Sequence, residues 1–196
     1  MRIETAIQKV HALPAPSGWV RLEEVRKAPG RLELFFGIPE KNRGERKTDS
    51  LDIVCLDVRE TNITDFDGGG LSLYPTTHPA ARQYTAQRAE LRWIARNDRA
   101  TGMGTLYKAH CGVVDDWIPF DRYVSLKTIS NKKCVCRGPG FLMRTYAKAL
   151  RATGEKPHLT LRGGGNFKRS NLRVLHFGDS FVVAAKFVVA SKVKAV

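Results

Sequence analysis

The first half of the chain alternates apolar and polar residues in runs that are typical of β-strands. Three such runs are WVRLEEVRK (19–27), RLELFFGI (31–38) and LDIVCLDVRE (51–60), which turn residues or charged residues separate. The third run is apolar on both faces, which indicates a strand at the centre of a sheet. A short strand, Leu71 to Tyr74, follows the glycine-rich segment DFDGGG (65–70). The pattern therefore predicts mainly β-structure in this half.

The segment TAQRAELRWIARNDRATG (85–102) fits two periods. As a helix it aligns four arginines along one face, whereas as a strand it places Leu91 and Trp93 inward and Glu90 and Arg92 outward. The next run, GTLYKAHCGVV (104–114), resembles a strand, and NDRATG between them supplies turn residues. We therefore favour a hairpin here.

The clearest helix lies further along, in GPGFLMRTYAKALRATG (138–154). Its apolar residues repeat at helical spacing, and Gly154 is a typical C-terminal cap. Arg144, Lys148 and Arg151 follow one another at i, i+4 and i+7, which places three cations on the other face. The sequence predicts one amphipathic helix near 140–153 with a basic outer face.

The C-terminal region predicts two strand pairs. YVSLKTI (123–129) and KCVCR (133–137) form the first, and LRVLHF (172–177) and SFVVAAKFVVA (180–190) form a C-terminal β-hairpin around Gly178-Asp179. The last strand is apolar enough for a sheet interior, with Lys186 either at an edge or extended outward to solvent. The fold class is therefore α+β, mainly antiparallel β, as a twisted sheet or a two-sheet sandwich. We expect a single domain over residues 1–196.

The distribution of charge along the chain gives the strongest indication of function. The chain carries 33 Lys and Arg against 19 Asp and Glu, a net charge of +14. Residues 1–120 hold 17 basic and 16 acidic residues, and residues 121–196 hold 16 and 3, so the second half carries a net charge of +13. Clustered cations indicate a polyanionic partner, because neutralising phosphates releases counterions.

The glycine-rich segment TLRGGGNFKRSNLR (160–173) resembles a phosphate-binding loop but lacks two of its parts. Phe167 stands where a glycine should precede Lys168, and a strand follows where a helix should begin. The segment is therefore interpreted as a basic loop in which Phe167 can stack on an unpaired base. The candidate nucleic-acid contacts are Lys132, Lys133, Arg137, Arg144, Lys148, Arg151, Arg162, Phe167, Lys168, Arg169 and Arg173.

Metal and catalytic signatures are weaker. Asp65 and Asp67 begin like a calcium loop whose later ligands are missing, and the Cys134, Cys136 and His110-Cys111 set lacks the paired spacing of zinc knuckles. In a strand, His110 and Cys111 would point to opposite faces, so they would not form a nucleophile and base pair. We expect no metal, no cofactor and no catalytic residue, and a binding role rather than an enzymatic one.

The expected function is that of a non-catalytic binding protein that engages RNA or DNA through phosphate contacts of residues 121–196. The alternative is a protein-interaction module, such as an inhibitor, an immunity-type protein or an assembly subunit, that docks on an acidic protein surface. The absence of a membrane-length apolar run and of a signal-peptide core, together with sparse cysteines, favours a cytoplasmic protein without a membrane partner. The sequence leaves the oligomeric state open.

Overall fold

The computed structural model describes residues 1–12, 19–38, 49–64, 69–95, 99–124, 133–162 and 171–190. Every strand pair within these ranges is antiparallel, so the predicted α+β class with mainly antiparallel β-structure is confirmed. The helices are α1 (Ile3–His11), α2 (Pro79–Thr85), α3 (Arg99–Val114) and α4 (Gly140–Ala152). The strands are β1 (Trp19–Ala28), β2 (Arg31–Ile38), β3 (Asp49–Asn62), β4 (Gly69–Tyr74), β5 (Arg88–Ile94), β6 (Lys133–Pro139), β7 (His158–Leu161), β8 (Arg173–Phe177) and β9 (Ser180–Val189).

The residues of the chain fall into two compact units, each defined by its internal contacts. Unit 1 consists of Met1–Ala81 and Asn171–Val196, and unit 2 consists of Arg82–Ser170. Unit 2 is thus inserted in the chain of unit 1 between β4 and β8, and α2 crosses the first boundary. The single domain that we expect over residues 1–196 stays a prediction, which the number of unfolding transitions tests.

The strands of unit 1 form a closed barrel in the order β1-β2-β3-β9-β8-β4. The pairs Trp19↔Gly70 and Val20↔Gly69 join β1 to β4 and close it. The twisted antiparallel sheet is therefore closed on itself, which removes its edges. The predicted C-terminal hairpin is present as β8 and β9, and β9 lies inside the sheet between β3 and β8.

Strand alternation fills the barrel interior. Leu34 and Phe36 of β2 and Leu51 and Ile53 of β3 are fully buried, because every second residue of a strand points to the same side. The outward residues of β3 are half-buried rather than buried, so the apolar run predicted for both faces of this strand fills only one. Lys186 points outward and is exposed, which is one of the two placements that the sequence predicts.

Helix α1, which the sequence analysis does not anticipate, packs on the barrel core. Ile3, Ala6, Ile7 and Val10 are buried at helical spacing and belong to the same apolar cluster as the barrel interior. His11 Nε2 lies 2.9 Å from the backbone oxygen of Leu71 at the end of this helix. The N-terminal segment is thus part of the fold of unit 1.

Unit 2 is built on a three-stranded sheet in the order β6-β5-β7. Helix α4 covers one face, where Leu91 and Trp93 of β5 share an apolar cluster with Leu142 and Tyr146 of α4, and α3 packs against α4. The amphipathic helix predicted near 140–153 is confirmed by α4, which is followed by Gly154 at a φ of 84°. Among the helices of the described residues, none combines the length and apolarity that crossing a membrane requires.

The hairpin predicted over 85–114 is half wrong. Its first strand is present as β5, but the residues of the second form α3. Leu106, His110 and Val114 are buried at intervals of four, which is a helical spacing. Three glycines within this helix lower its intrinsic helix propensity and obscure the period. The strand predicted to pair with β6 spans residues 123–129, and from residue 125 onward it lies outside the described residues. Within the described part, Val124 forms an isolated bridge with Cys136.

Candidate anion-binding site

A buried carboxylate lies on the face of the unit 2 sheet opposite the helices. Alternation along β5 places Arg88, Glu90 and Arg92 on this face, while Leu91 points into the helix-covered core. Glu90 is only 1% exposed. A buried charge on an otherwise solvent-facing sheet requires partners that cover and neutralise it.

Three arginines supply those partners. Arg137 of β6, which pairs with Glu90 across the strands, donates from Nε to Glu90 Oε2 over 2.8 Å. Arg162 donates to the same oxygen from Nη2, and Arg92 donates from Nε to Oε1. Arg162 is itself anchored, because its backbone N–H donates to the Arg88 carbonyl over 2.9 Å. One carboxylate thus holds guanidinium groups from β5, from β6 and from the residue after β7.

The arginines set the ionisation of Glu90. Desolvation by burial raises the pKa of this carboxyl, but the hydrogen bonds from Arg92, Arg137 and Arg162 together outweigh it and hold the pKa below the usual 4.5. Glu90 is therefore a carboxylate at neutral pH. Its negative charge lets three cations share a small area of the sheet.

The same arginines remain accessible to solvent. The exposed fractions of their side chains are 58% for Arg92, 70% for Arg137 and 55% for Arg162. A guanidinium carries five N–H donors, so a bond to Glu90 fixes its position without consuming its hydrogen-bonding capacity. The arrangement presents oriented cationic forks to an incoming anion.

A cleft of about 380 Å³ opens beside Glu90. One wall is the Tyr123 ring, which lies so close to Gly138 that a Cβ there would approach the ring to 2.9 Å. The Tyr123 hydroxyl donates to Gln83 Oε1 over 2.7 Å, which fixes this wall. We name this feature the arginine cleft after its four cationic lining residues, which are Arg88, Arg122, Arg137 and Arg162.

The structure distributes the sequence-predicted contacts over several places. Arg137 and Arg162 meet at Glu90, whereas Arg144, Lys148 and Arg151 lie exposed on α4, on the face that the periodicity predicts. Arg173 belongs to β8 of unit 1, where it donates to Glu4 and lies 5.9 Å from the Phe187 ring centroid. The candidates that lie outside the described residues are Lys132, Phe167, Lys168 and Arg169, together with the side chain of Lys133.

Sequence reasoning missed four residues of this site, which are Glu90, Arg88, Arg92 and Arg122. The strand interpretation of 85–102 does place Glu90 and Arg92 outward, which is the one available signal. A lone acid between two arginines at alternate positions of a strand indicates a shared ion pair. Its extension to Arg137 and Arg162 depends on strand order, which the sequence does not reveal.

The structure gives His110 a different role from the metal-binding and catalytic roles that the sequence analysis considers for it. His110 is buried in unit 2, and its Nε2 must donate to the Ile118 carbonyl over 2.6 Å because a carbonyl only accepts. Its Nδ1 therefore accepts from the Tyr146 hydroxyl over 2.7 Å. Both ring nitrogens are engaged within the core, so His110 acts as a structural residue. Nowhere in the described ranges do three His, Cys, Asp or Glu side chains cluster to hold a metal ion.

The arginine cleft is the place in the described chain where geometry and binding chemistry coincide most clearly. It joins oriented donors, a buried counter-charge and a concave shape. Comparisons of the chain with protein families, with curated proteins and with solved structures found no match.

Proposed function

We propose that this is a non-catalytic protein that binds RNA or DNA through phosphate contacts made by unit 2. The observation that carries the proposal is the buried carboxylate of Glu90, which holds three arginines that remain more than half exposed. Arginine forks match the oxygens of a phosphate in a bidentate manner. Because Glu90 fixes them beforehand, less side-chain entropy is lost on binding.

The charge of unit 2 supports a polyanionic partner. Residues 82–170 contain 18 Lys and Arg against 6 Asp and Glu, so this unit carries a net charge of +12 out of the chain's +14. The exposed row Arg144, Lys148 and Arg151 on α4 adds to the field around the unit. Such a field accelerates association with nucleic acid and strengthens it by counterion release.

The contacts that we propose read the backbone and not the bases. Phosphate contacts position a protein on nucleic acid but carry no sequence information. The lining of the cleft is dominated by arginine, with Tyr123 as its aromatic wall. We therefore expect binding with little sequence preference. Among the described cysteines, Cys55, Cys111 and Cys136 are thiols and not disulfides, which fits a reducing compartment, and we assign this activity to the cytoplasm.

The test is the binding of labelled single-stranded and double-stranded oligonucleotides, measured by fluorescence anisotropy at two salt concentrations. Wild type is compared with Arg137→Ala/Arg162→Ala and with Lys9→Ala/Arg21→Ala, a control of equal charge change at exposed positions of unit 1. We expect the logarithmic salt slope to fall by about one unit for each phosphate-contacting cation removed from unit 2. The control should keep the wild-type slope.

Two further results decide between classes of partner. Absence of binding to every oligonucleotide at low salt contradicts the proposal and favours the alternative, a module that docks on an acidic protein. Binding that survives in Arg137→Ala/Arg162→Ala with an unchanged slope contradicts the role given to the arginines at Glu90. The variant Lys168→Ala/Arg169→Ala, measured in the same way, tests the contribution of the glycine-rich segment.

A further inference from the structure

We infer that the arginine cleft receives a terminal phosphate monoester at the end of a nucleic-acid strand. This inference rests on the proposed function and goes further, because it distinguishes a strand end from the phosphodiesters of the strand interior. It follows from the charge, the shape and the fixed walls of the cleft.

The charge balance of the cleft exceeds what a phosphodiester neutralises. Four arginines line it, and its lining contains one carboxylate, Glu90, which already accepts from Arg137 and Arg162. The lining therefore has a net charge of +3. An internal phosphodiester carries a single negative charge, whereas a phosphate monoester carries about −1.5 to −2 at neutral pH and presents three strong acceptor oxygens. The monoester is the better match in charge and in number of acceptors.

The guanidinium groups converge instead of following a line. Arg137 and Arg162 donate to the same oxygen of Glu90, and the Arg88 guanidinium carbon lies 5.9 Å from the centroid of the Tyr123 ring, which is a wall of the same cleft. Arg122 reaches the same cleft from the short 3-10 helix Phe120–Arg122. A surface that tracks a backbone spaces its cations along a groove, whereas converging forks surround one group.

The size of the cleft fits a phosphate together with its nucleoside. A volume of about 380 Å³ falls within the range of small-molecule sites. The Tyr123 ring, held by Gln83 and packed on Gly138, gives this space a rigid wall. A strand end enters such a concave site directly, whereas a strand interior has to enter and leave it.

Arg122 offers a variant that leaves the set of arginines bonded to Glu90 intact. Arg122 is exposed, and its Nη2 lies 3.4 Å from the Tyr84 hydroxyl, whereas the Glu90 carboxylate accepts from Arg92, Arg137 and Arg162. Lys108→Ala on the exposed side of α3 is the matched control, because it removes the same charge from the same unit outside the cleft.

The experiment compares one labelled single-stranded oligonucleotide in three forms, with a 5′-phosphate, with a 3′-phosphate and with hydroxyl groups at both ends. We expect wild type to bind one phosphorylated form about tenfold more tightly than the hydroxyl form, the effect of one added charge-assisted hydrogen bond. Arg122→Ala should reduce this ratio to within about twofold, and Lys108→Ala should retain it. The 5′ and 3′ forms identify which end the cleft takes.

The outcomes separate this inference from the proposed function. Equal affinity for all three forms overturns the terminal-phosphate inference and leaves nucleic-acid binding in place, whereas no binding to any form overturns both. A phosphate preference that persists in Arg122→Ala, or that Lys108→Ala removes as fully as Arg122→Ala does, overturns the placement in the cleft. A phosphoserine peptide that binds as tightly as the phosphorylated oligonucleotide overturns the choice of nucleic acid.

Discussion

Glu90 of β5 and Arg137 of β6 lie directly opposite each other, and the Arg137 Nε donates to Glu90 Oε2 over 2.8 Å. The pair is asymmetric, since Glu90 is 1% exposed while the Arg137 side chain is 70% exposed. The carboxylate therefore interacts with protein groups, whereas the guanidinium also contacts solvent. Under the proposed function, Glu90 is therefore a structural counter-charge and its arginines are the groups that bind phosphate.

Replacing Glu90 with glutamine should destabilise unit 2. The change removes the negative charge between Arg92, Arg137 and Arg162 and turns an amide N–H₂ toward their donors. Breaking a fully buried ion pair costs about 3–5 kcal/mol, and the exposure of these arginines reduces this to about 1–3 kcal/mol in the free energy of unfolding. Urea unfolding of Glu90→Gln beside wild type measures it.

The difference in the free energy of unfolding between wild type and Glu90→Gln should depend on pH, because the pKa of Glu90 is lowered in the folded state. Glu90 ionises below the usual 4.5 in the folded state, so its stabilising contribution is complete above pH 4.5. The contribution is lost as the pH falls through the lower, folded-state pKa. The gap between wild type and Glu90→Gln should therefore narrow below pH 4.5. A gap that stays constant down to acidic pH contradicts the assigned pairing.

How far the sequence predicts this structure depends on the range of the interactions. Helix α4 and the hairpin of β8 and β9 follow from local periodicity and turn residues, and both are confirmed. The strand predicted where α3 lies is wrong, because the glycines of this segment lower its helix propensity and weaken the helical period of its apolar residues. The helical spacing becomes clear only from the burial of Leu106 and His110 in the folded chain. The arginine cleft joins Glu90 to Arg162, 72 positions apart, so it depends on the strand order β6-β5-β7.

Tyr146→Phe should destabilise unit 2 through a single lost hydroxyl. The Tyr146 hydroxyl donates to Nδ1 of His110, and both side chains are buried. Phenylalanine keeps the ring but leaves a buried acceptor without its donor, which costs about 1–3 kcal/mol. Urea unfolding measures the loss, and Tyr107→Phe on the exposed side of α3 is the control, with little change expected. An equal effect in both variants would mean that the hydrogen bond contributes nothing specific.

Gly69→Ala should disturb the barrel where β4 meets the turn between β8 and β9. A Cβ at Gly69 would clash with the Cα and with the backbone nitrogen of Gly178, and backbone atoms cannot move aside as a flexible side chain does. We expect a loss of about 1–3 kcal/mol in the free energy of unfolding. Gly70→Ala is the matched control, because a Cβ there meets nothing within 4 Å. Similar losses at both positions would contradict the close approach.

Two half-buried histidines should make the stability of unit 1 sensitive to mild acid. Tyr74 stacks on His78 with ring centroids 4.7 Å apart and lies 6.0 Å from His176. Burial lowers the pKa of both imidazoles below 6.5, the positive charge of His176 lowers that of His78 further, and Asp179 partly opposes the shift at His176.

The sign of the effect follows from proton uptake. Below pH 6.5 the unfolded chain binds protons that the folded barrel resists, so the free energy of unfolding falls as the pH drops from 6.5 through the lowered folded-state pKa values. His176→Gln removes one of these groups and the repulsion that it exerts on His78. The pH dependence of the free energy of unfolding reports how many more protons the unfolded chain binds than the folded chain. We expect His176→Gln to reduce this number by up to about one proton between pH 6.5 and 5, as measured by urea unfolding at several pH values. A slope equal to that of wild type would show that His176 takes up its proton equally well in the folded and unfolded chain.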